Sequence, residues 1–320
     1  MKMKRLAALA ALCAATSVLA QDYPNKPIRW IAPLAAGSAV DAAARVVAAK
    51  MSENMGQQVV VENLPGAAGL IGAERVAKAA PDGYTFGAFN DSVMTMVPNL
   101  HPKMPWDTLK DFDPVSLVGT IEWGLVAGLN TPYKSAADLI AGARANPGKI
   151  DYGSGGNGSP QHVAMALFAS TAGLSMQHVP YKGATQAAVG VAGGEVAVSL
   201  QGLGTVTPLV QAGKLRLIGV ATPARLPTRP DVPTIAESGL PGFTFNSWYA
   251  VYAPAGTPKA MINRISDEIR KALADPGVRE KLTAQGFTLR GSTPEELGTA
   301  TREQLAKYHK LMKEAGIKAE

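Results

Sequence analysis

The sequence predicts an α/β protein built as two lobes, on three observations. Apolar, β-branched runs alternate with small-residue stretches of helical period, first over residues 28–89 and again from residue 150 to about 221. The runs of each series are joined by helices of 10–15 residues, the signature of parallel βαβ units. Beyond the first twenty of its 320 residues the chain is long enough to bury about three-quarters of its surface, and that size suits two lobes better than one.

Those first twenty residues read as an export leader. Lys2, Lys4 and Arg5 precede an apolar stretch over 6–18, and Val18-Leu19-Ala20 resembles a peptidase site before Gln21. The expected product is a periplasmic protein cut after Ala20. Leu12 stands before Cys13 where a lipoprotein signal wants a small residue, so lipid attachment is not expected. Cys13 is the one cysteine, and its loss with the leader excludes disulfides, a thiolate nucleophile and a Cys-ligated metal. Three of the 31 basic residues also leave, so the remainder carries 28 against 25 acidic ones. With no basic block and few aromatics, nucleic-acid binding is not expected. No later segment approaches the length of a membrane-spanning helix.

The first unit runs from a strand at Ile28 through Pro33 into the bend Ala35-Ala36-Gly37-Ser38, and then into a helix carrying Val40, Ala44, Val47, Ala48 and Met51. A strand follows at 58–62, a helix at 67–79 after Pro65-Gly66, and a strand at 84–89 after the turn Pro81-Asp82-Gly83. Residues 113–119 and 124–129 read as two strands. A second series opens with Ser135 as N-cap of a helix to Asn146, then a strand at 150–152 and a glycine-rich loop at 153–160. Ser159 is the N-cap, with Pro160 at the first position, of a helix to about Gly173. Further strands are expected at 177–180, 196–200, 215–221 and 247–253, the last returning to the first lobe, and helices at 184–192, 206–212 and 234–238. Met261, Ile265, Ile269 and Leu273 form one apolar stripe, and Thr293-Pro294-Glu295-Glu296 is a capping box opening a helix through about Ala315.

Two stretches carry the chemistry. The bend at 35–38 ends a strand and starts a helix, so free backbone N–H groups point above it and small side chains admit an anion. The loop Gly153-Ser154-Gly155-Gly156-Asn157-Gly158-Ser159 offers the same means. It fits G-x-G-x-x-G in spacing, but no acidic residue follows a strand about twenty positions on, and it lacks the G-K-[ST] ending of a phosphate loop. Asn90-Asp91-Ser92 follows the third strand directly and should face the same crevice. Asp41, in the first helical turn, either holds the loop's own N–H groups, which its position favours, or meets a ligand amine or hydroxyl. Lys182 after Tyr181 is either a cation at the crevice or a solvated turn residue. No Gly-x-Ser-x-Gly surrounds Ser154 or Ser159, and His162 in the first turn is better suited to capping than to serving as a base, so a hydrolase is a weak alternative. The histidines at 101, 162, 178 and 309 form no i,i+4 pair, and no metal or cofactor is expected.

Ordered motifs across essentially the whole chain resemble the extracytoplasmic receptors of tripartite tricarboxylate transporters, the Bug or TctC family. They include Tyr23-Pro24-x-x-Pro27-Ile28-Arg29, Ala36-Gly37-Ser38-Ala39-Val40-Asp41-x3-Arg45, and Asn63-x-Pro65-Gly66-Ala67-x-Gly69-x-x-Gly72. Pro81-Asp82-Gly83-Tyr84, Gly153-Ser154-x-Gly156-x-Gly158-Ser159-x-x-His162, Val179-Pro180-Tyr181-Lys182-Gly183, Pro233-Thr234-x-Ala236-Glu237-x-Gly239, Trp248-Tyr249 and Ala253-Pro254-Ala255-Gly256-Thr257-Pro258 complete the set.

The resemblance implies a type II periplasmic binding protein, a two-lobed clamshell that closes over a small carboxylate and is not an enzyme. Its lobes would comprise residues 21–122 with 247–320, and 123–246. The ligand would be gripped by Leu34, Ala35, Ala36, Gly37 and Ser38, with Asp41 beside them, and by Ser154, Gly155, Gly156, Asn157, Gly158 and Ser159. Asn90, Asp91, Tyr181 and Gln201 would line the rest. The partners implied are the ligand and, transiently, the membrane subunits of a transporter, with the receptor itself a monomer; a receptor that signals to a membrane kinase is the alternative. The chain departs from the family at Ala36-Gly37, where Gly-Gly is usual, at Gln201-Gly202, where a small polar or acidic residue is common, and at Ala197, where the strand often begins with an acid.

Overall fold

The computed structural model describes residues 23–101 and 103–314. The leader, Cys13 and the cut after Ala20 lie outside them. Ten strands among the described residues form one continuous, curled sheet. Strand β1 (Ile28–Ala32) lies between β2 (Val59–Asn63) and β3 (Thr85–Asn90), all parallel. Near the far end, β5 (Asp151–Ser154) pairs in parallel with β6 (Gln177–Pro180) and β7 (Val198–Gly202). Between the two parallel sets run β4 (Phe112–Gly128) and β9 (Asn246–Pro254), antiparallel to each other and to their flanking strands.

Strand β4 is the pivot. Over residues 112–122 it pairs with β9, and the short β10 (Phe287–Leu289) joins it at 119–121. From Trp123 onward its partners are β7 on one side and β8 (Leu215–Val220) on the other. The sequence suggests two strands here because the side-chain rhythm changes near residue 120. The backbone is unbroken; the change arises because a strand shared by two sheets exchanges the layers that cover its faces at the crossing.

Helix α1 (Ala39–Met55) follows β1, with Ala44, Val47, Ala48 and Met51 buried at the spacing expected and Gly56 ending it at φ 67°. Helix α2 (Leu70–Ala77) starts later than its sequence pattern suggests. Residues 67–69 make a tight turn in which Ala67 and Ala68 hold φ of 47° and 54°, a left-handed conformation that an α-helix cannot continue. The chain after β3 winds through a wide turn at Ser92–Met96 into α3 (Val97–Leu100), a helical stretch the polar Asn90-Asp91-Ser92 signal does not announce.

In the second half α4 (Ala136–Ala145) and α5 (Pro160–Ala172) start at their expected caps, Ser135 and Ser159, and α6 is Ala184–Gly193. Strand β7 sits two residues later than expected, and α7 (Leu203–Gln211) begins directly behind it. No helix forms at 234–238. Thr234 and Glu237 close one turn reciprocally, with N–H to side-chain distances of 2.8 and 3.0 Å, while Thr234 bridges to Val220, and Gly239 at φ 104° ends it.

Helix α8 (Lys259–Ala274) buries Ile265, Ile269 and Leu273, with Met261 half-buried at its start. The short α9 (Pro276–Ala284) and β10, unforeseen from the sequence, follow it. Helix α10 (Pro294–Glu314) opens on the expected capping box, in which Thr293 N–H donates to Glu296 at 2.9 Å and Glu296 N–H to Thr293 Oγ1 at 3.2 Å. It packs over α3, where Asn99 donates to the Leu305 carbonyl at 3.0 Å. Among the described residues, no helix is long and apolar enough to cross a membrane.

Candidate functional site

A cleft of about 500 Å³ lies where the two halves face each other over the β4 crossing. Its walls are two strand-to-helix turns that share one design. In the first, Gly37 holds φ 76° and Ser38 caps α1 at φ −67°, ψ 159°. In the second, Gly158 holds φ 75° and Ser159 caps α5 at φ −64°, ψ 157°. Each serine accepts the N–H three residues on, from Asp41 and His162 respectively, both at 3.3 Å. Each glycine N–H is in turn held four residues on, by Asp41 Oδ2 at 2.9 Å and by His162 Nδ1 at 3.1 Å. Left-handed backbone favours glycine at both turns. A chain segment of sequence Gly-Ser-x-x-(acceptor) therefore builds the same helix N-terminus twice, and the two face one cleft.

Asp41 works within the first turn. Besides Gly37, its carboxylate takes Asn63 Nδ2 at 2.8 Å and the Arg45 guanidinium at 3.1 Å. Burial pushes the carboxyl pKa up, but these three bonds outweigh it and hold the group below the usual carboxylate range. His162 has a different setting, stacked flat on His178 with ring centres 4.0 Å apart and Tyr152 on the far side of His178. Burial lowers the His178 pKa. Ser154 Oγ lies 2.5 Å from His178 Nε2, a pair that looks like part of a hydrolase. However, Ser154 is fully buried beneath the loop, and His178 Nδ1 has no orienting acid.

Of the residues singled out from the sequence, Leu34, Ala35, Ser38, Asn90, Gly155, Gly156, Asn157, Ser159 and Tyr181 line the cleft together. Lys182 joins them, exposed at the rim. Ala36, Gly37, Gly158 and Asp41 shape the turns from behind, and Ser154 lies below. Asp91, wholly buried, accepts the Ser92 N–H away from the cleft, and burial raises its pKa well above the usual range. Gln201 is also buried in β7. It accepts from Gln161 Nε2 at 3.1 Å, so it braces a residue that does line the cleft.

The floor is built from residues far apart in the sequence. Ile121, Trp123, Gly202 and Ser247 form it, with Trp123 Nε1 donating to Ser247 Oγ at 2.9 Å. A Cβ added to Gly202 would stand 3.2 Å from Ile121 and 3.4 Å from Ala39, so the two halves touch there. Ala67 and Ala68, in their strained conformation, form part of the rim. Ser247, at the expected strand return, faces in, while Trp248 packs the other way against Gln304.

Among the described residues, three side-chain bonds cross between the halves away from the Trp123–Ser247 bond at the strand crossing itself. Thr205 Oγ1 accepts the Ala39 N–H at 3.1 Å, Thr185 Oγ1 donates to the Ala36 carbonyl at 3.2 Å, and Ser92 Oγ donates to the Gly158 carbonyl at 3.0 Å. The conformation described is thus closed over the cleft. Among the described residues, no cluster of His, Cys, Asp and Glu is placed to hold a metal.

Residues 43–317 match the model for the tripartite tricarboxylate transporter family receptor. The chain belongs to this family. BugT of Bordetella pertussis is 35% identical over 99% of both chains. Among solved structures, the periplasmic binding protein BugD aligns with a TM-score of 0.89 at 30% identity, covering 93% of this chain and 100% of its own. R. palustris Rpa4515, solved with adipate, aligns with a TM-score of 0.90 at 33% identity, covering 93% and 99%. The receptor therefore has the two-lobed fold of periplasmic solute-binding proteins, and its family consists of binding receptors rather than enzymes.

Proposed function

We propose that the receptor captures a small carboxylate between its two Gly-Ser turns and delivers it, as a monomer, to a tripartite-type membrane transporter. The observation that carries this reading is the duplicated turn. Two helix N-termini with matched dihedrals converge on one cleft, each presenting the hydroxyl of its capping serine and the positive end of its helix. Such a pair favours negative charge, and hydrogen bonds to a carboxylate in a closed crevice are charge-assisted and strong. That Rpa4515 was solved with adipate agrees with this ligand class.

The lobes are taken as residues 21–122 with 247–320, and 123–246. The exchange of β4 partners at Trp123 supports the first boundary. Hinge motion would concentrate in β4 and β9, the strands that run between the two parallel sets. Export with removal of residues 1–20 belongs to the same reading, and N-terminal sequencing of the secreted protein should start at Gln21.

Thermal unfolding against mono-, di- and tricarboxylates tests the core of the proposal. A ligand at 100 times its dissociation constant adds about 2.7 kcal/mol to the stability. The shift should vanish when Ser38 and Ser159 are both changed to alanine. Failure of every acid to shift the transition would overturn the carboxylate reading. Uptake by membranes carrying the transporter subunits, dependent on added receptor, tests the delivery step.

A further inference from the structure

We infer that the cleft selects carboxylates carrying no ammonium group, and that the Asn90 carboxamide is the side chain that sets this preference. The inference rests on the carboxylate reading above and narrows it to a substrate class.

The lining is made of donors. Ser38 Oγ, Ser159 Oγ, Thr205 Oγ1 and Ser247 Oγ each already accept a bond from the protein, from Asp41, His162, Ala39 and Trp123. Each hydroxyl keeps its proton, which it can give to a carboxylate oxygen, and one neutral lone pair. Asn90 follows the same rule. Its Oδ1 takes the Val93 N–H at 3.2 Å, which fixes the amide so that the NH2 is the group left for the cleft.

An ammonium would find no counter-charge here. Among the described residues, no Asp or Glu lines the cleft. Asp41 is consumed by Gly37, Asn63 and Arg45, and Asp91 is buried on the other side of the wall. Glu195 takes the Tyr181 hydroxyl at 2.9 Å and is not part of the lining. Lys182 at the rim adds a like charge. The acceptors at hand are neutral: the Gln161 carboxamide oxygen, whose Nε2 is turned toward Gln201, and the remaining hydroxyl lone pairs. Neutral oxygens without a counter-charge do not offset the cost of desolvating an ion. Donors do suit acceptor oxygens on the ligand body, such as a carbonyl or a second carboxylate.

Calorimetric binding to matched pairs reads the preference directly: succinate with aspartate, glutarate with glutamate, hexanoate with 6-aminohexanoate. In each pair that binds, the amine-free acid should bind at least tenfold more tightly. Asn90→Asp keeps the oxygen that takes the Val93 N–H and replaces the NH2 by an acceptor, so the ratio should fall at least tenfold; a carboxylate at this buried position lowers the thermal transition, so circular dichroism at the binding temperature checks that the variant is folded. An amino acid that binds the wild type as well as its amine-free partner overturns the inference, as does an unchanged ratio in Asn90→Asp. If no acid of either kind binds, the carboxylate reading itself fails and takes this one with it; if acids bind in the wrong order, only this one fails.

Discussion

Ser92 Oγ donates to the Gly158 carbonyl at 3.0 Å, from the end of β3 to the glycine of the second turn. The same glycine is held on its N–H side by His162 Nδ1 at 3.1 Å, so one residue is fixed from both halves of the molecule. With the Thr205–Ala39 and Thr185–Ala36 bonds, this forms a latch that needs no ligand. Ser92→Ala combined with Thr205→Val removes two of the three bonds, each contributing about 1 kcal/mol net. The ligand-free double variant should show a larger radius of gyration by solution scattering. Its ligand affinity should be weaker by roughly tenfold, because a smaller fraction of the protein is in the closed state. An unchanged radius would mean that these bonds do not control closure.

Substitution of the two turn glycines should be unequal. Gly37→Ala meets Thr185 at 3.7 Å, ordinary contact, so its cost is the left-handed backbone, about 1–2 kcal/mol. Gly158→Ala pays the same backbone cost and also brings its Cβ to 2.9 Å from Leu100. Chemical denaturation should rank Gly158→Ala as the more damaging change.

The matched roles of Asp41 and His162 make a swap informative. His162→Asp keeps an acceptor for the Gly158 N–H, whereas His162→Ala leaves that N–H without one, at a cost of about 1–3 kcal/mol. The aspartate variant should melt closer to the wild type than the alanine variant does.

Two aspartates respond to pH with opposite sign. Asp41 is held below the usual range, so its contribution is complete above the unfolded-state value of about 3.9 and is lost as pH falls through its lowered value. Asp91 is raised, so its folded form favours the proton, and stability falls as pH rises from about 4 through its raised value. Asp91→Asn keeps the oxygen that takes the Ser92 N–H and removes the buried charge. It should raise the melting temperature at pH 7, by about 1–3 kcal/mol in stability, with the gain gone below pH 4. A variant less stable than wild type at pH 7 would show that the Asp91 charge is compensated.

Much of this architecture is legible in the sequence because it rests on local signals. Ser38, Ser135 and Ser159 cap helices where their positions before apolar or Pro-led runs say they should, and the glycine-rich loop announces a wall of the cleft. What the sequence hides is non-local. Strand β4 reads as two because its partners change at Trp123, and nothing near Ile121 or Ser247 signals that they meet at a cleft floor. Gln201 is misleading for a related reason: the strand sits two residues later than its apolar run suggests, and the side chain turns to brace Gln161. The left-handed Ala67 and Ala68 defeat propensity altogether, since alanine is the best helix former.

The path of β4 also governs how the chain can come together. Its first half bonds to residues 246–254 and 287–289, its second half to 198–202 and 215–220. Neither set of partners has been made when β4 itself has been, so the centre of the molecule waits for most of the chain. Pairings of such long sequence separation form slowly. A fragment ending before residue 246 lacks the strand that joins β3 to β4, and should stay uncommitted rather than fold as half a receptor. Such a delay would suit the export proposed above, in which the chain crosses a membrane before it takes its shape.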